Sequence, residues 1–351
     1  MKNWIYILMI GLMGSLVSSC RQSLDDELQT SKDAPRAANI SMRLVLDESF
    51  SASRGTWGKN EDESHEFGNS FENEIDLNDP DALQVIVQVY DAENSMIEEL
   101  EVIDKSIVRL NTENGRIYTL DGILNLQDTN IEHGDYSCRI MVYANCGADL
   151  EVYSYQGNGY IPMWGVLTTN LNLAYDANNQ IDDIYLLRAM AKVEVMLHPD
   201  IAENFDLSSV VVDKYNTTGN VLPTGYADVA DTRHLNQQDV FHPNDTSAGT
   251  DLSFIQKTDQ EKFYVYMPEY QNVDVDTPAN IHLVIDGKSY IIRFKHYVGG
   301  QATGDPYNIV RNHYYKYIIT SVSKETIEVN LTLQYEVEDW TEVTNPGLSF
   351  E

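Results

Sequence analysis

The chain has 351 residues, long for the usual ~100–200-residue domain, so two domains are expected and a disulfide-stapled miniprotein is excluded. Hydrophobic residues make up 42% and aromatic residues 10%, enough to bury a core and too many for a disordered tail. Fifty-five acids against 23 Lys and Arg leave a net charge of −32, the wrong sign for gripping a phosphate backbone, so no nucleic-acid partner is expected. The 22 Tyr, with Val, Ile and Thr throughout, tilt the class towards β structure.

Lys2 precedes an apolar run from Trp4 to Val17, fourteen residues, too short to span ~30 Å of hydrocarbon and suited to a secretory signal. Leu16-Val17-Ser18-Ser19-Cys20 follows, and small residues leading into a cysteine resemble the lipobox of bacterial lipoproteins. On that resemblance residues 1–19 are a signal peptide and Cys20 carries the acyl (palmitate) chains; an ordinary signal peptide with an incidental cysteine is the alternative. The acids of Ser23-Leu24-Asp25-Asp26-Glu27 are similar to surface-export signals of Bacteroidetes lipoproteins. Residues 21–38 are polar and read as a tether.

Ile40, Met42, Leu44 and Leu46 then alternate with Ser41, Arg43, Val45 and Asp47, a period of two that predicts a half-buried strand. The small and polar segment around Arg54-Gly55 is loop-like and open to proteases. Leu83, Val85, Val87 and Val89 predict a second strand ending at Tyr90. Tyr136 to Cys146 reads as one strand, which would hold Cys138 and Cys146 ~26 Å apart, too far for a disulfide; both are expected to be free, structural thiols. A short helix is allowed at residues 200–208, and a boundary is placed near residues 185–195, where a new strand starts after an Asp- and Asn-rich stretch.

In the last strand Ile327, Val329, Leu331, Leu333, Tyr335 and Val337 alternate with Glu328, Asn330, Thr332, Gln334, Glu336 and Glu338. Such a strand either closes its own domain or is lent to a neighbour, and the pattern leaves both open. The expected class is mainly β, of sandwich type.

Signals for chemistry fail on inspection. Gly287-Lys288-Ser289 ends like a phosphate-binding loop, but position 282 is His where a glycine is needed. His65-Glu66 lacks the second zinc ligand, Asn69 standing in its place. Asp176, Asn178, Gln180 and Asp182 resemble the oxygen ladder of a calcium loop, but Ile181 replaces its glycine and Leu187 its closing acid. No enzyme activity, cofactor or metal is expected.

The lipid signal, the strand from Asn39 to Asp47, Ser53-Arg54-Gly55 and the terminal strand together resemble the fimbrillins, the type V pilus subunits of the Bacteroidales. Further motifs in the same order are Val87-Gln88-Val89-Tyr90-Asp91-Ala92, Tyr160-Ile161-Pro162-Met163-Trp164-Gly165, Leu187-Arg188-Ala189-Met190-Ala191-Lys192-Val193-Glu194-Val195, Phe263-Tyr264-Val265-Tyr266-Met267-Pro268-Glu269, Val310-Arg311-Asn312-His313-Tyr314-Tyr315 and Trp340. The resemblance implies two transthyretin-like (Ig-like) β-sandwich domains in tandem, residues 55–187 and 188–351, behind a tether and removable first strand at residues 20–54. It further implies an outer-membrane lipoprotein precursor, cleavage after Arg54 by an Arg-specific surface protease, and a fibre at the cell surface. There the strand bearing Ile40, Met42, Leu44 and Leu46 leaves a groove, and the terminal strand of another subunit fills it.

Cleavage at Arg36 would leave that strand attached, and cleavage at Arg43 would halve it; Arg54 is otherwise an ordinary loop arginine. Six inward side chains at ~1.5–3 kcal/mol each give roughly 9–18 kcal/mol gross for such a joint, before the ~4–15 kcal/mol cost of association. Residues 1–54 hold six bases and six acids, so a chain starting at Gly55 keeps all −32 charges, which favours end-to-end over lateral contact. The partners implied are other fimbrial subunits, in a homopolymer or mixed fibre, the protease, the outer membrane through the lipid and a host or bacterial surface ligand. A tip or anchor adhesin of the same family, and a stand-alone glycan-binding surface lipoprotein, are the alternatives.

Overall fold

The computed structural model describes residues 36–48, 74–112, 115–147, 150–154, 160–174, 176–222, 229–232, 243–245, 249–257, 262–298, 301–322 and 331–339. The first half contributes β1 (Ala37–Glu48), β2 (Leu83–Tyr90), β3 (Met96–Thr112), β4 (Gly115–Asn125), β5 (Asp135–Ala144), β6 (Val152–Ser154), β7 (Met163–Asn172), β8 (Asn178–Gln180), β9 (Ile184–Tyr185) and β10 (Leu187–Arg188). There follow β11 (Ala191–Leu197), α1 (Pro199–Ala202), β12 (Leu207–Val212), β13 (Thr218–Asn220), β14 (Leu252–Ser253), β15 (Ile255–Lys257), β16 (Lys262–Met267), β17 (Asn280–Ile285), β18 (Lys288–Arg293), β19 (His296–Val298), β20 (Gln301–Thr303), β21 (His313–Val322) and β22 (Leu331–Asp339). The chain is almost all β, as the composition predicts, and no described helix is long and apolar enough to cross a membrane.

Nine strands form one curled sheet in the order β10-β7-β5-β2-β3-β4-β1-β8, with β9 also paired to β1. β3 makes the turn between layers. Its first residues, Met96 to Glu101, pair with β2, and from Val102 onward it pairs with β4. The register breaks between Ile103 and Ser106, where Asp104 takes a positive φ of 49°. Such a bulge bends a strand and lets it serve both layers of a sandwich. The layers enclose a core of Ala38, Ile40, Met42, Leu44 and Leu46 from β1, packed with Val85, Val87 and Val89 of β2, Ile140 and Val142 of β5 and Leu167 and Leu171 of β7.

The second half builds a sheet in the order β15-β16-β11-β21-β22 and another in the order β14-β12-β17-β18. Their core holds Val193, Val195, Leu283, Ile285, Ile292, Tyr317 and Ile319. A third cluster combines Met141, Tyr143 and Trp164 with Tyr264 and Tyr266. Beside it β13 pairs with β6, and Arg311 fixes β13 from within. The Arg311 guanidinium donates to Glu269 Oε1 at 2.7 Å and Oε2 at 2.8 Å, and to the Val221 and Asn220 carbonyls at 2.6 and 2.7 Å.

Two local expectations need correction. The strand through Cys138 stops at Ala144, because Asn145 and Gly147 both have positive φ and turn the chain. Cys146 therefore lies outside it, and both cysteines are free. The short helix is narrower than residues 200–208, covering Pro199–Ala202.

Candidate functional site

The strand predicted from alternation at Ile40 to Leu46 is β1, and it is an interior strand. On one edge it runs antiparallel to β4, from Ala37 opposite Asn125 to Glu48 opposite Gly115. On the other edge it runs parallel to β8 at Asn39–Ser41 and to β9 at Leu44 and Val45. Bonds from Asn39 N to Ala177 O, Asp176 N to Ala37 O, Ile181 N to Ser41 O and Leu186 N to Val45 O, at 2.8–3.0 Å, extend that second edge. Ile40, Met42, Leu44 and Leu46 are at most 2% exposed. Without β1 the sheet would carry a slot flanked by unpaired donors and acceptors and floored by the core.

Close packing holds the slot's far wall. Gly165 on β7 lies under β9, and a Cβ there would fall 2.7 Å from the Tyr185 carbonyl oxygen and 2.7 Å from Leu186 Cδ2. On the near side Gly122 of β4 stands opposite Ile40, where a Cβ would meet Val102 Cγ1 at 2.3 Å. Both glycines serve close approach rather than a special turn.

Of the residues resembling a calcium ladder, Asp176, Asn178 and Gln180 are engaged with β1. Asn39 Nδ2 donates to Asn178 Oδ1 at 3.0 Å, Asn179 Nδ2 to the Asn39 carbonyl at 3.2 Å and Gln180 Nε2 to the Ser41 carbonyl at 3.2 Å. Arg43 Nε donates to Asp183 Oδ1 at 2.7 Å, and Arg43 Nη2 to Asp183 Oδ2. Among the described residues no three His, Cys, Asp or Glu side chains are grouped to hold a metal ion.

Both rival arginines are built into the fold. Arg43 sits mid-ladder opposite Thr119. The Arg36 carbonyl accepts from Leu126 N at 2.8 Å, and its side chain donates to the Ile131 carbonyl at 2.7 Å. A protease that needs free extended chain meets neither without local unfolding. Cys20, Arg54, Gly55, Ile327 and Val329 lie outside the described residues. Leu331, Leu333, Tyr335 and Val337 belong to β22, which pairs antiparallel with β21 and closes the edge of its own sheet. Asp183 and the parallel partners β8 and β9 were missed in the sequence; the run of Asn and Asp there was the one signal.

No protein-family model and no curated protein matches the chain. Among solved structures it is similar to the tip fimbrial protein Mfa3 from Porphyromonas gingivalis, determined with a C-terminal truncation, at 12% identity and a TM-score of 0.51, covering 86% of this chain and 100% of that one. A fimbrial assembly protein from Parabacteroides distasonis matches at 16% identity and a TM-score of 0.46, covering 86% of this chain and 96% of that one. The chain thus has the fold of a Bacteroidales fimbrial protein, the fold that the fimbrillin resemblance of its sequence implies.

Proposed function

We propose that this chain is a non-catalytic structural subunit of a surface fimbria. It is exported as a lipoprotein acylated at Cys20 and matured by an Arg-specific cut after Arg54. It then assembles by accepting a neighbour's terminal strand in the slot of β1 and lending its own terminal strand, 327–338, to the next subunit. The observation that carries this reading is the position of β1, paired on both edges and buried on its inner face, yet joined to the rest of the fold through residues 49–82. Arg54 is the one arginine between Arg43 and Arg109, so a single cut there frees β1 covalently and leaves every other strand intact.

Exchange of one strand for another restores the same ladder and refills the same core, so it needs no net gain in contacts to be reversible. Donation also requires β22 to leave β21, with which it pairs antiparallel in the chain by itself. The test is treatment of the purified chain with an Arg-specific protease, inactivation of the protease, and then addition of a synthetic 36–48 peptide carrying a label. Incorporation of label into wild type but not into Arg54→Gln is expected. Equal incorporation into both, or none into either, refutes the reading.

A further inference from the structure

Resting on that reading of the slot, the outer face of β1 says whose strand the slot will take. Rows of side chains cross the sheet there. Val108 of β3, Thr119 of β4 and Arg43 of β1 form one row, ending at Asp183 beyond Arg43. Leu110, Ile117, Val45 and Tyr185 form the next. Leu110 at the end of this row is 39% exposed, but Val45 is 1% exposed and Ile117 9%, so the row is covered where β1 lies. Outward, then, β1 presents a cation beside Asp183 and, two residues away, an apolar side chain.

The terminal strand of this chain cannot reproduce that face. Its apolar residues must point inward, so it can shift in the slot only by two residues at a time. In every such register, and in either direction, the residue placed beside Asp183 comes from Glu328, Asn330, Thr332, Gln334, Glu336 and Glu338. None is a cation and none is apolar. Three are carboxylates, which would face Asp183 with like charge, and whichever side chain replaced Val45 would bring a polar group to a covered position.

We propose that the β1 slot selects the terminal strand of a different subunit, one with Lys or Arg and a nearby apolar residue on its outward face, and that Asp183 is the specificity-determining residue. Copies of this chain do not join head to tail with one another. The chain is a member of a mixed fibre.

The test uses the full chain cut at Arg54, with β1 held in place, and measures displacement of β1 by synthetic peptides through mass spectrometry. The peptides are the authentic 36–48 strand, its R43Q form, the unmodified 326–339 strand, and forms of the latter bearing one Arg, with or without a Val two residues away, at the outward positions 330, 332, 334 and 336. The best Arg and Val form is expected to displace β1 at a concentration at least about tenfold lower than the unmodified strand. Asp183→Asn is expected to abolish the part of that advantage due to Arg and to make authentic and R43Q peptides equivalent.

Equal displacement by the unmodified strand, an Arg advantage that survives Asp183→Asn, or ladders formed by cut copies of this chain alone would each overturn the selection. Failure of even the authentic 36–48 peptide to exchange would instead remove the slot reading on which it rests.

Discussion

Leu44→Ala is the sharpest probe of how β1 is held. Leu44 is fully buried between Tyr118 on β4 and Ile184 on β9, in the same core as Val85 and Ile140. Truncating such a side chain removes its transfer free energy and leaves a cavity, together about 2–5 kcal/mol. In the intact chain this is a loss of stability. After cleavage at Arg54 the strand is held non-covalently, and the same loss becomes roughly 30- to 5,000-fold weaker retention. Asn39→Ala removes one exposed bond, to Asn178 Oδ1 at 3.0 Å, and is expected to weaken retention by less than about tenfold. Competition of the cut protein with labelled 36–48 peptide, followed by size-exclusion chromatography, measures both. Equal retention of the Leu44→Ala and Asn39→Ala strands would refute the view that the core, rather than the rim, holds β1.

Gly165→Ala is expected to lose about 1–3 kcal/mol in urea unfolding and to loosen β1, since the new methyl strikes the backbone at Tyr185; an unchanged midpoint would contradict the packing. Glu269→Ala leaves the Arg311 guanidinium, 2% exposed, without its buried carboxylate and is expected to lose about 3–5 kcal/mol, whereas Glu269→Leu with Arg311→Met is expected to fall closer to wild type. Burial pushes the Cys138 and Cys146 thiols up to about 12 from an ordinary 9.0. Their contribution to stability is therefore full below pH 9.0 and is lost as pH rises from there through about 12, so melting temperature should fall in that window and native thiols should resist alkylation at neutral pH. Rapid labelling of both cysteines in folded protein would contradict the burial.

Much of the slot's inner face was legible in the sequence because it is a matter of period. Ile40, Met42, Leu44 and Leu46, and likewise Leu83, Val85, Val87 and Val89, alternate as the strands do, and every one of them is buried. The outer face was not legible. Arg43 and Asp183 are 140 residues apart, and nothing in an Asn- and Asp-rich run distinguishes a parallel partner strand from a loop. β3 hid its layer switch for a related reason: its Glu, Asp and Lys residues break the alternation where the strand bends, so neither period nor turn residues mark the bulge at Asp104. The alternation of residues 327–338 announces a strand without naming its partner, since the same pattern suits β21 of its own sheet or the slot of a neighbour.

The most direct test of strand removal is N-terminal sequencing with intact mass on fibre-assembled protein recovered from the cell surface, with and without an active Arg-specific protease. A start at Gly55, with residues 36–48 and the acyl mass absent from assembled molecules, is the result expected. Assembled molecules that all begin at acylated Cys20 and retain β1 would contradict it, and the slot would then be a permanently filled part of an anchor or a stand-alone surface lipoprotein.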